Sequence, residues 1–234
     1  MDGLIFIYIL FGLAIGSFVS AVTYRIPREL GFVKGRSFCD NCKKQLYWYD
    51  NIPLLSYVFY LGESRCCQKR ISIRYPLIEI ATAIGFLILY LYSFSFVYYL
   101  LFTSLLIILI VDLEHQIIPD ELSWLVLFLS LFIIHYSLFT SLFAGFLFSF
   151  LLLILYLVTS GRGMGLGDVK LAIPLAIILG LEKSLSWFLA SFIIGGIVSI
   201  ILLLLKKANL KSKIAFGPFM IVAFWIILFY EIIY

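Results

Sequence analysis

Residues 96–113 read FVYYLLFTSLLIILIVDL, in which sixteen uncharged residues precede Asp112. As an α-helix, this segment rises by about 27 Å, close to the roughly 30 Å thickness of the hydrocarbon layer of a bilayer. A helix pairs its own backbone hydrogen-bonding groups, so it crosses lipid without unsatisfied amides. The segment therefore predicts a transmembrane helix that ends at a carboxylate.

The same pattern recurs along the whole chain. Of the 234 residues, 64% are hydrophobic and only 13% are charged, and the mean hydropathy is +1.13. A water-soluble domain of this length has too little interior to bury so many apolar side chains. The predicted fold class is an all-α polytopic membrane protein with about eight transmembrane helices. These helices are predicted at residues 4–23, 77–94, 96–113, 121–138, 140–159, 169–182, 184–205 and 216–233.

One polar segment, residues 24–76, separates the first two predicted helices and contains all four cysteines. The other connections are short, so the helices are expected to pack as one bundle. We predict three parts. They are a first transmembrane helix at 1–23, a small cysteine-containing cytoplasmic domain at 24–76, and a seven-helix transmembrane catalytic domain at 77–234.

The positive charges predict the orientation in the membrane. In the eight-helix arrangement every lysine and arginine except Lys183 falls on one side, which the positive-inside rule makes cytoplasmic. The net charge of +4 follows from this topology and from attraction to anionic lipid head groups, so no nucleic acid partner is predicted. The cations on the cytoplasmic side are Arg25, Arg28, Lys34, Arg36, Lys43, Lys44, Arg65, Lys69, Arg70, Arg74, Arg162, Lys170, Lys206, Lys207, Lys211 and Lys213.

Two acidic residues stand at the ends of predicted helices. Asp112 closes the run SLLIILIVD, and Asp168 lies in GMGLGDVKL at 163–171. A carboxylate beside lipid is costly to ionise, so by default it marks a functional site. The topology places both at the cytoplasmic ends of their helices, where two neighbouring carboxyl groups would share one proton. The ionised group can then activate water while the protonated group donates to a carbonyl, as in aspartic peptidases.

Other roles for these acids stay open at the level of the residues. Asp168 is a favoured type of residue for capping a helix, and Asp112 suits an interfacial charge that reaches water. Asp120 and Glu114 compete with Asp112 as the first member of a pair.

Three glycines precede Asp168, at positions 163, 165 and 167. They allow a substrate backbone to approach closely, or they permit unusual backbone dihedral angles. A glycine-rich stretch alone is weak evidence for either function.

A pair of cysteines, Cys39-x-x-Cys42, lies in the basic polar segment. Two thiolates at this spacing can turn onto one tetrahedral metal ion, so the pair is half of a zinc-binding pattern. The predicted compartment is reducing, which argues against structural disulfides. The other interpretation is that reduced cysteines pack in a small domain.

Several ordered blocks of the chain resemble those of the bacterial type IV prepilin peptidases. They run in the order of that family from one end of the chain to the other. The blocks are GSFVSAVTYRIPR at 16–28, CDNC at 39–42, DNIPLLSY at 50–57, ISIRYPLIE at 71–79, VDLEHQIIPD at 111–120 and GMGLGDVKL at 163–171.

The resemblance implies a bifunctional enzyme of the bacterial inner membrane. Such enzymes cut the leader from prepilins and pseudopilins after a glycine at the cytoplasmic face, then methylate the new N-terminus with S-adenosylmethionine. By motif, Asp112 and Asp168 are the catalytic aspartates. No motif marks the methyl-donor site, for which the cytoplasmic domain and the nearby Glu79 are the suspected location. The supporting residues predicted beside the catalytic pair are Gly165, Gly167, Lys170 and Glu79.

The resemblance also bears on the cysteines. Many members of the family have a second C-x-x-C pair, where this chain has Ser64-Arg65-Cys66-Cys67. In an alignment on ISIRYP, Cys67 keeps the last cysteine position and Ser64 replaces the first. Cys66 would supply the fourth thiolate after a local rearrangement, or the site is incomplete. A structural zinc site is thus predicted at Cys39, Cys42, Cys66 and Cys67.

Three other functions compete with this prediction. One is a related protease that shares G-x-G-D, either an archaeal-type preflagellin peptidase or a relative of signal peptide peptidase; the cysteine-containing domain argues for the bacterial type. A second is a proton-coupled transporter that uses the two aspartates as a relay. The third is an assembly factor without catalytic activity.

Overall fold

The computed structural model describes residues 2–30, 37–39, 41–134, 137–161, 163–207, 209 and 212–233. Four of the cations on which the predicted orientation rests lie outside these ranges. They are Lys34, Arg36, Arg162 and Lys211.

Within the described ranges the regular structure is helical, which confirms the predicted all-α class. Short 3₁₀ turns occur at Ile26–Arg28 and Trp48–Asn51, and two isolated β-bridges join Phe38 to Gln45 and Glu63 to Arg70. The α-helices are α1 (Asp2–Arg25), α2 (Leu55–Phe59), α3 (Arg74–Leu91), α4 (Phe96–His115), α5 (Asp120–Phe132), α6 (Leu138–Val158), α7 (Leu166–Leu204) and α8 (Gly217–Ile233).

Five of these helices, α1, α3, α4, α6 and α7, are long and apolar enough to cross a membrane. The chain is therefore a multi-pass membrane protein. Helix α8 is apolar but shorter. Helix α5 has 13 residues and is about 20 Å long, less than the hydrocarbon thickness. The predicted count of eight crossings stays a prediction.

Helix α7 contains the sixth and seventh predicted spans. Gly180 interrupts it with φ 72° and ψ 177°, which are not helical angles. The Ser184 hydroxyl donates to the Gly180 carbonyl oxygen at 2.6 Å and to the Ala176 carbonyl oxygen at 3.2 Å. These two bonds link the helical segments on either side of the interruption. The predicted boundary at 182–184 thus corresponds to a break at Gly180.

The chain divides into two units, Met1–Ile107 and Ile108–Tyr234. In the first unit, α1 packs closely on α3. A Cβ atom on Gly12 would lie 2.7 Å from the Cα of Ala83, and one on Gly16 would lie 2.6 Å from the Cα of Glu79. Glycines four residues apart allow two membrane helices to approach at this distance. The predicted division into three parts stays a prediction.

In the second unit, α7 packs against α5, α6 and α8. The Ser149 hydroxyl of α6 donates to the Val169 carbonyl oxygen at 2.9 Å. The indole N–H of Trp187, a fully buried side chain, donates to the Met220 carbonyl oxygen of α8 at 2.8 Å. These two bonds fix the first turns of α7 and α8 relative to their neighbours.

Candidate active site and cysteine cluster

The two predicted carboxyl groups lie at helix ends within the second unit. Asp112 is in the last turn of α4, and Asp168 is in the first turn of α7, where Gly165 is the N-cap residue. Both side chains are buried, with only 4% of Asp112 and 6% of Asp168 exposed. Each carboxyl group therefore depends on the protein, and not on bulk water, for its partners.

The backbone amide of Gly217 faces both carboxyl groups. Gly217 is the first residue of α8, and amides at the start of a helix have no partner within the helix. Pro218 follows and has no N–H of its own. Asp112 and Asp168 also interact electrostatically with one another. The structure thus brings both predicted aspartates together around a single amide.

One oxygen of each carboxyl group has no hydrogen bond within the described part of the chain. These buried atoms are Oδ2 of Asp112 and Oδ1 of Asp168. The other oxygen of Asp168, Oδ2, accepts a hydrogen bond from the Gly165 amide at 3.0 Å. The capping interpretation of Asp168 therefore accounts for one oxygen only. Buried polar atoms without partners are rare and often belong to functional sites.

Glycines and one isoleucine surround the pair closely. A Cβ atom on Gly217 would lie 2.6 Å from Asp112 Oδ2 and 3.1 Å from Ile118 Cδ1, and one on Gly167 would lie 2.9 Å from Ile118 Cβ. Gly165 has an ordinary φ of −87°. The absence of side chains at Gly167 and Gly217 makes room for Ile118, which packs against the first turns of α7 and α8. Close approach of a substrate backbone stays a prediction. Neither Gly217 nor Ile118 is among the residues predicted from the sequence.

The competing acids differ from Asp112 in exposure. The Asp120 side chain is 58% exposed and accepts two hydrogen bonds from the Lys170 ammonium group, at 2.7 and 2.9 Å. The Glu114 side chain is 34% exposed and lies 4.0 Å from the imidazole of His115. Lys170, predicted as a supporting residue, thus pairs with Asp120 at the surface. Of these three acids, only Asp112 is buried.

Glu79, the other predicted supporting residue, lies in the first unit. It is buried, and its Oε2 accepts a hydrogen bond from the Leu54 amide at 2.9 Å. It lines a cavity of about 190 Å³ that none of the residues of the aspartate site lines.

The four cysteines lie together. Their sulfur atoms are all within 4.8 Å of one another, with Cys39 and Cys67 3.8 Å apart and Cys42 and Cys66 3.0 Å apart. Four sulfur ligands around a zinc ion at about 2.3 Å would be about 3.8 Å from each other. The cluster therefore fits one tetrahedral metal ion, even though Ser64 replaces a cysteine.

Two turns of the same shape carry these sulfur atoms. In each turn the amide of the first residue, Cys39 or Ser64, donates to the carbonyl oxygen five residues later, at 2.9 and 2.8 Å. The fifth residue of each turn, Lys43 or Gln68, has a left-handed φ of 60° or 55°. Ser64 thus occupies the place that Cys39 has in the first turn, and Cys66 brings the fourth sulfur atom.

The thiols of the cluster differ in acidity. Burial raises the pKa of Cys39, but hydrogen bonds from the Ser64 hydroxyl and from the amides of Cys42 and Asn41 outweigh it and lower the pKa to about 6. The hydrogen bond with Cys42 raises the pKa of Cys66 to about 12. Because a thiolate is the form of cysteine that binds a metal ion, the hydrogen bonds around Cys39 favour its metal-binding form.

The fold and the site together define a class, a polytopic membrane protein with two buried aspartates facing one helix N-terminus. Comparison with known proteins shows which family within this class the chain matches. Residues 10–93 match the model of the bacterial peptidase A24 N-terminal domain, and residues 99–200 match that of the type IV leader peptidase family.

Two relatives illustrate the match. The chain is 32% identical to a prepilin leader peptidase/N-methyltransferase of Pseudomonas aeruginosa, over 94% of this chain and 88% of that protein. It is also 32% identical to one of Neisseria gonorrhoeae, over 92% of this chain and 87% of that protein. The chain belongs to the prepilin leader peptidase family. No solved structure matches it significantly.

Proposed function

We propose that this chain is a membrane aspartyl endopeptidase that removes the leader of type IV prepilins and pseudopilins after a glycine. It then methylates the new N-terminus with S-adenosylmethionine. The family supports the reaction, and one structural observation supports the site. Asp112 and Asp168 are buried around the Gly217 amide, and each keeps one oxygen without a partner in the described part of the chain.

Cleavage proceeds with one carboxyl group ionised and the other protonated. The ionised group takes a proton from water as the water oxygen bonds to the scissile carbonyl carbon, and the protonated group donates to the carbonyl oxygen. When the resulting diol collapses, the carbon–nitrogen bond breaks and the leaving amine takes the transferred proton. The diol returns its other proton to the second carboxyl group, which restores the starting state.

The Gly217 amide supports this division of roles. Helix N-termini carry a partial positive charge and unpaired N–H groups, which stabilise a nearby negative charge. The Gly217 amide therefore offsets part of the free-energy cost of ionising one carboxyl group in a buried site. Oδ2 of Asp112 and Oδ1 of Asp168 are available to hold the water and the carbonyl oxygen.

The enzyme lies in the cytoplasmic membrane of a bacterium, with the cysteine-containing segment and both aspartates on the cytoplasmic side. The distribution of lysine and arginine along the sequence supports this orientation. Its partners are prepilins, pseudopilins and membrane lipids. The apolar N-terminal helix of the substrate would lie among the transmembrane helices, with the scissile bond at the cytoplasmic boundary.

The reaction can be tested directly. Purified full-length protein in detergent is incubated with a prepilin, with and without S-adenosylmethionine, and the product is weighed by mass spectrometry. We expect a leader-sized mass loss in both samples and the addition of one methyl group only with the donor. Intact prepilin in both samples would contradict the proposal. Substrate flux in sealed vesicles without cutting would favour the transporter instead.

We also propose that the cysteine cluster holds a structural zinc ion bound by Cys39, Cys42, Cys66 and Cys67. The distances between the sulfur atoms support one tetrahedral site. Such an ion would tie the two turns together and help to fold the polar segment.

The fourth ligand can be identified by zinc affinity. We expect Cys66→Ser to weaken zinc binding at least about tenfold, because a ligand is lost, as measured by competition with a chromogenic chelator. In a Ser64→Cys background the same change should have little effect, since the thiol introduced at position 64 would complete an ordinary pair with Cys67. Equal affinity of Cys66→Ser and the wild type would contradict the assignment of Cys66.

The Lys170–Asp120 pair is expected to matter little for cleavage. Because both side chains are more than half exposed, their ion pair contributes about 0.2–1 kcal/mol at most. We expect Asp120→Asn to keep cleavage within about twofold of the wild type, measured as the initial rate of leader release. A loss as large as that caused by Asp112→Asn would instead make Asp120 the first member of the catalytic pair.

A further inference from the structure

One stretch of the polar segment, residues 51–62, carries no charge and lies between Asp50 and Glu63. It reads NIPLLSYVFYLG and contains helix α2. An apolar run of this length is too short to cross a bilayer, so it belongs either in a protein core or at a membrane surface. A place in the core does not apply, because none of the residues of α2 is buried.

The large apolar side chains of this stretch lie on the surface of the protein. Phe59 is 80% exposed and Leu61 is 90% exposed, and Leu55 and Val58 are each more than half exposed. These four side chains form what we call the α2 patch. Leu54 and Leu61, on either side of α2, have positive φ angles of 56° and 50°, which are unfavourable for leucine. An apolar surface held by an unfavourable backbone indicates a site of interaction.

Contacts with α1 and α3 fix the level of the stretch along these helices. The Leu54 amide donates to Glu79 Oε2 at 2.9 Å, and Glu79 lies about 8 Å along α3 from its first residue. Gly16, which packs against Glu79, lies about 13 Å before the end of α1. Pro53 lines a cavity together with Ala14 of α1. The stretch therefore begins at a level inside the ends of two helices that can cross the membrane.

Residues on either side of the stretch are of the kinds found where a membrane meets water. Trp48, which precedes it, is exposed, and tryptophan is enriched at that boundary. Lys69 and Arg70, which follow it, are exposed cations that suit anionic head groups. At the start of α3, Ile73 and Leu77 are exposed apolar residues as well, which lipid would cover on a transmembrane helix.

The backbone of the stretch meets the condition that lipid imposes. An amide away from water is costly unless it has a partner. The amides of Ser56, Val58, Tyr60 and Leu61 donate to carbonyl oxygens of the same stretch, at distances from 2.9 to 3.1 Å. The Ser56 hydroxyl donates to the Ile52 carbonyl oxygen at 2.9 Å. These groups therefore need no water.

We propose that residues 51–62 enter the membrane leaflet next to the polar segment, with the α2 patch in contact with lipid acyl chains. The partner of the patch is the bilayer, because lipid already surrounds transmembrane helices at that level and a second protein would have to displace it. The polar segment is then anchored to the membrane along one edge, between its two connections to α1 and α3. This placement does not depend on the reaction proposed above.

Tryptophan fluorescence of the full-length protein in liposomes tests the placement. Phe59→Trp adds one indole to the four native tryptophans, and subtraction of the wild-type spectrum isolates its emission. We expect the added emission to lie at short wavelength and to be lost in lipid brominated near the head-group end of the acyl chains. Bromine near the methyl end should quench it less, and acrylamide in the water should leave it unchanged.

Gln45→Trp is the matched control, because Gln45 is an exposed residue of the polar segment outside the stretch. Its added emission should lie at longer wavelength and be quenched by acrylamide but not by brominated lipid. If the indole introduced at position 59 behaves in the same way, the α2 patch faces water and the proposal is wrong. If neither quencher reaches that indole, a protein surface covers the patch, such as a second copy of the chain, and the proposal is again wrong.

Discussion

Asp112→Asn and Asp168→Asn are each expected to abolish prepilin cleavage, with the initial rate reduced at least about a hundredfold. Asparagine has nearly the shape of aspartate but neither gives nor takes the catalytic proton. Both wild-type carboxyl groups are buried close together, so replacing one of them with a neutral amide lowers the cost of holding charge in this buried site. The thermal unfolding temperature of each variant should therefore equal or exceed that of the wild type.

The initial rate of cleavage and the unfolding temperature, measured together, distinguish a catalytic role of each aspartate from a structural one. A residue that only capped α7 or anchored α4 would lower the unfolding temperature when replaced, and the rate would fall in proportion to the unfolded fraction. Persistent cleavage by Asp112→Asn would contradict its assignment, and a stable, inactive enzyme in both cases would support the pair.

The two aspartates were predictable because of where they occur in the sequence. Ionising an acidic side chain beside lipid costs free energy, so acidic residues are rare there. Asp112 and Asp168 are therefore conspicuous at the ends of their apolar segments. A common site was predicted because the topology places both aspartates at the cytoplasmic ends of their helices, at the same depth in the membrane. Depth alone does not give contact, however, because it does not say which helix ends are neighbours in the bundle.

Gly217 was not predictable in the same way. Its role comes from the distance between its backbone and Asp112, and these residues lie in different helices far apart in the chain. The available signal was the Gly217–Pro218 pair at the start of a predicted span, which is typical of helix N-termini. That signal marks the end of a helix but does not identify the side chains it faces.

The predicted ends of the helices also differ from those in the structure, because the sequence pattern does not report helix ends directly. The span predicted at 121–138 became the shorter helix Asp120–Phe132, because hydropathy reports apolar side chains and not helix ends. At position 180 glycine tolerates the positive φ found in the structure, but the span predicted at 169–182 runs through this residue.

The cysteine pattern left two outcomes open for Cys66. The alignment showed that Ser64 replaces a cysteine, but the direction of the neighbouring thiol depends on the shape of the turn. The structure brings the Cys66 sulfur to 3.0 Å from that of Cys42. Turn geometry, and not the spacing of the cysteines, decides that four sulfur atoms meet.

Gly217→Ala is expected to reduce leader cleavage by about a hundredfold, because the new methyl group would lie 2.6 Å from Asp112 Oδ2 and 3.1 Å from Ile118 Cδ1. Atoms at such a distance must move apart, and the carboxyl group is the smaller and more mobile of the two neighbours. A displacement of about 1 Å is enough to spoil proton transfer and water positioning. The effect should appear in kcat more than in KM, since the methyl group contacts the catalytic carboxyl group.

Gly196→Ala is the matched control, because a Cβ atom at that position of α7 meets nothing within 4 Å. Alanine is also the better helix former, so this variant should cleave at the wild-type rate and unfold at an equal or higher temperature. If Gly217→Ala keeps the wild-type kcat, the Gly217 backbone does not limit the position of Asp112. If both alanine variants lose activity equally, the loss reflects a general sensitivity of the helices to substitution. Only a loss confined to Gly217→Ala places the start of α8 at the catalytic carboxyl groups.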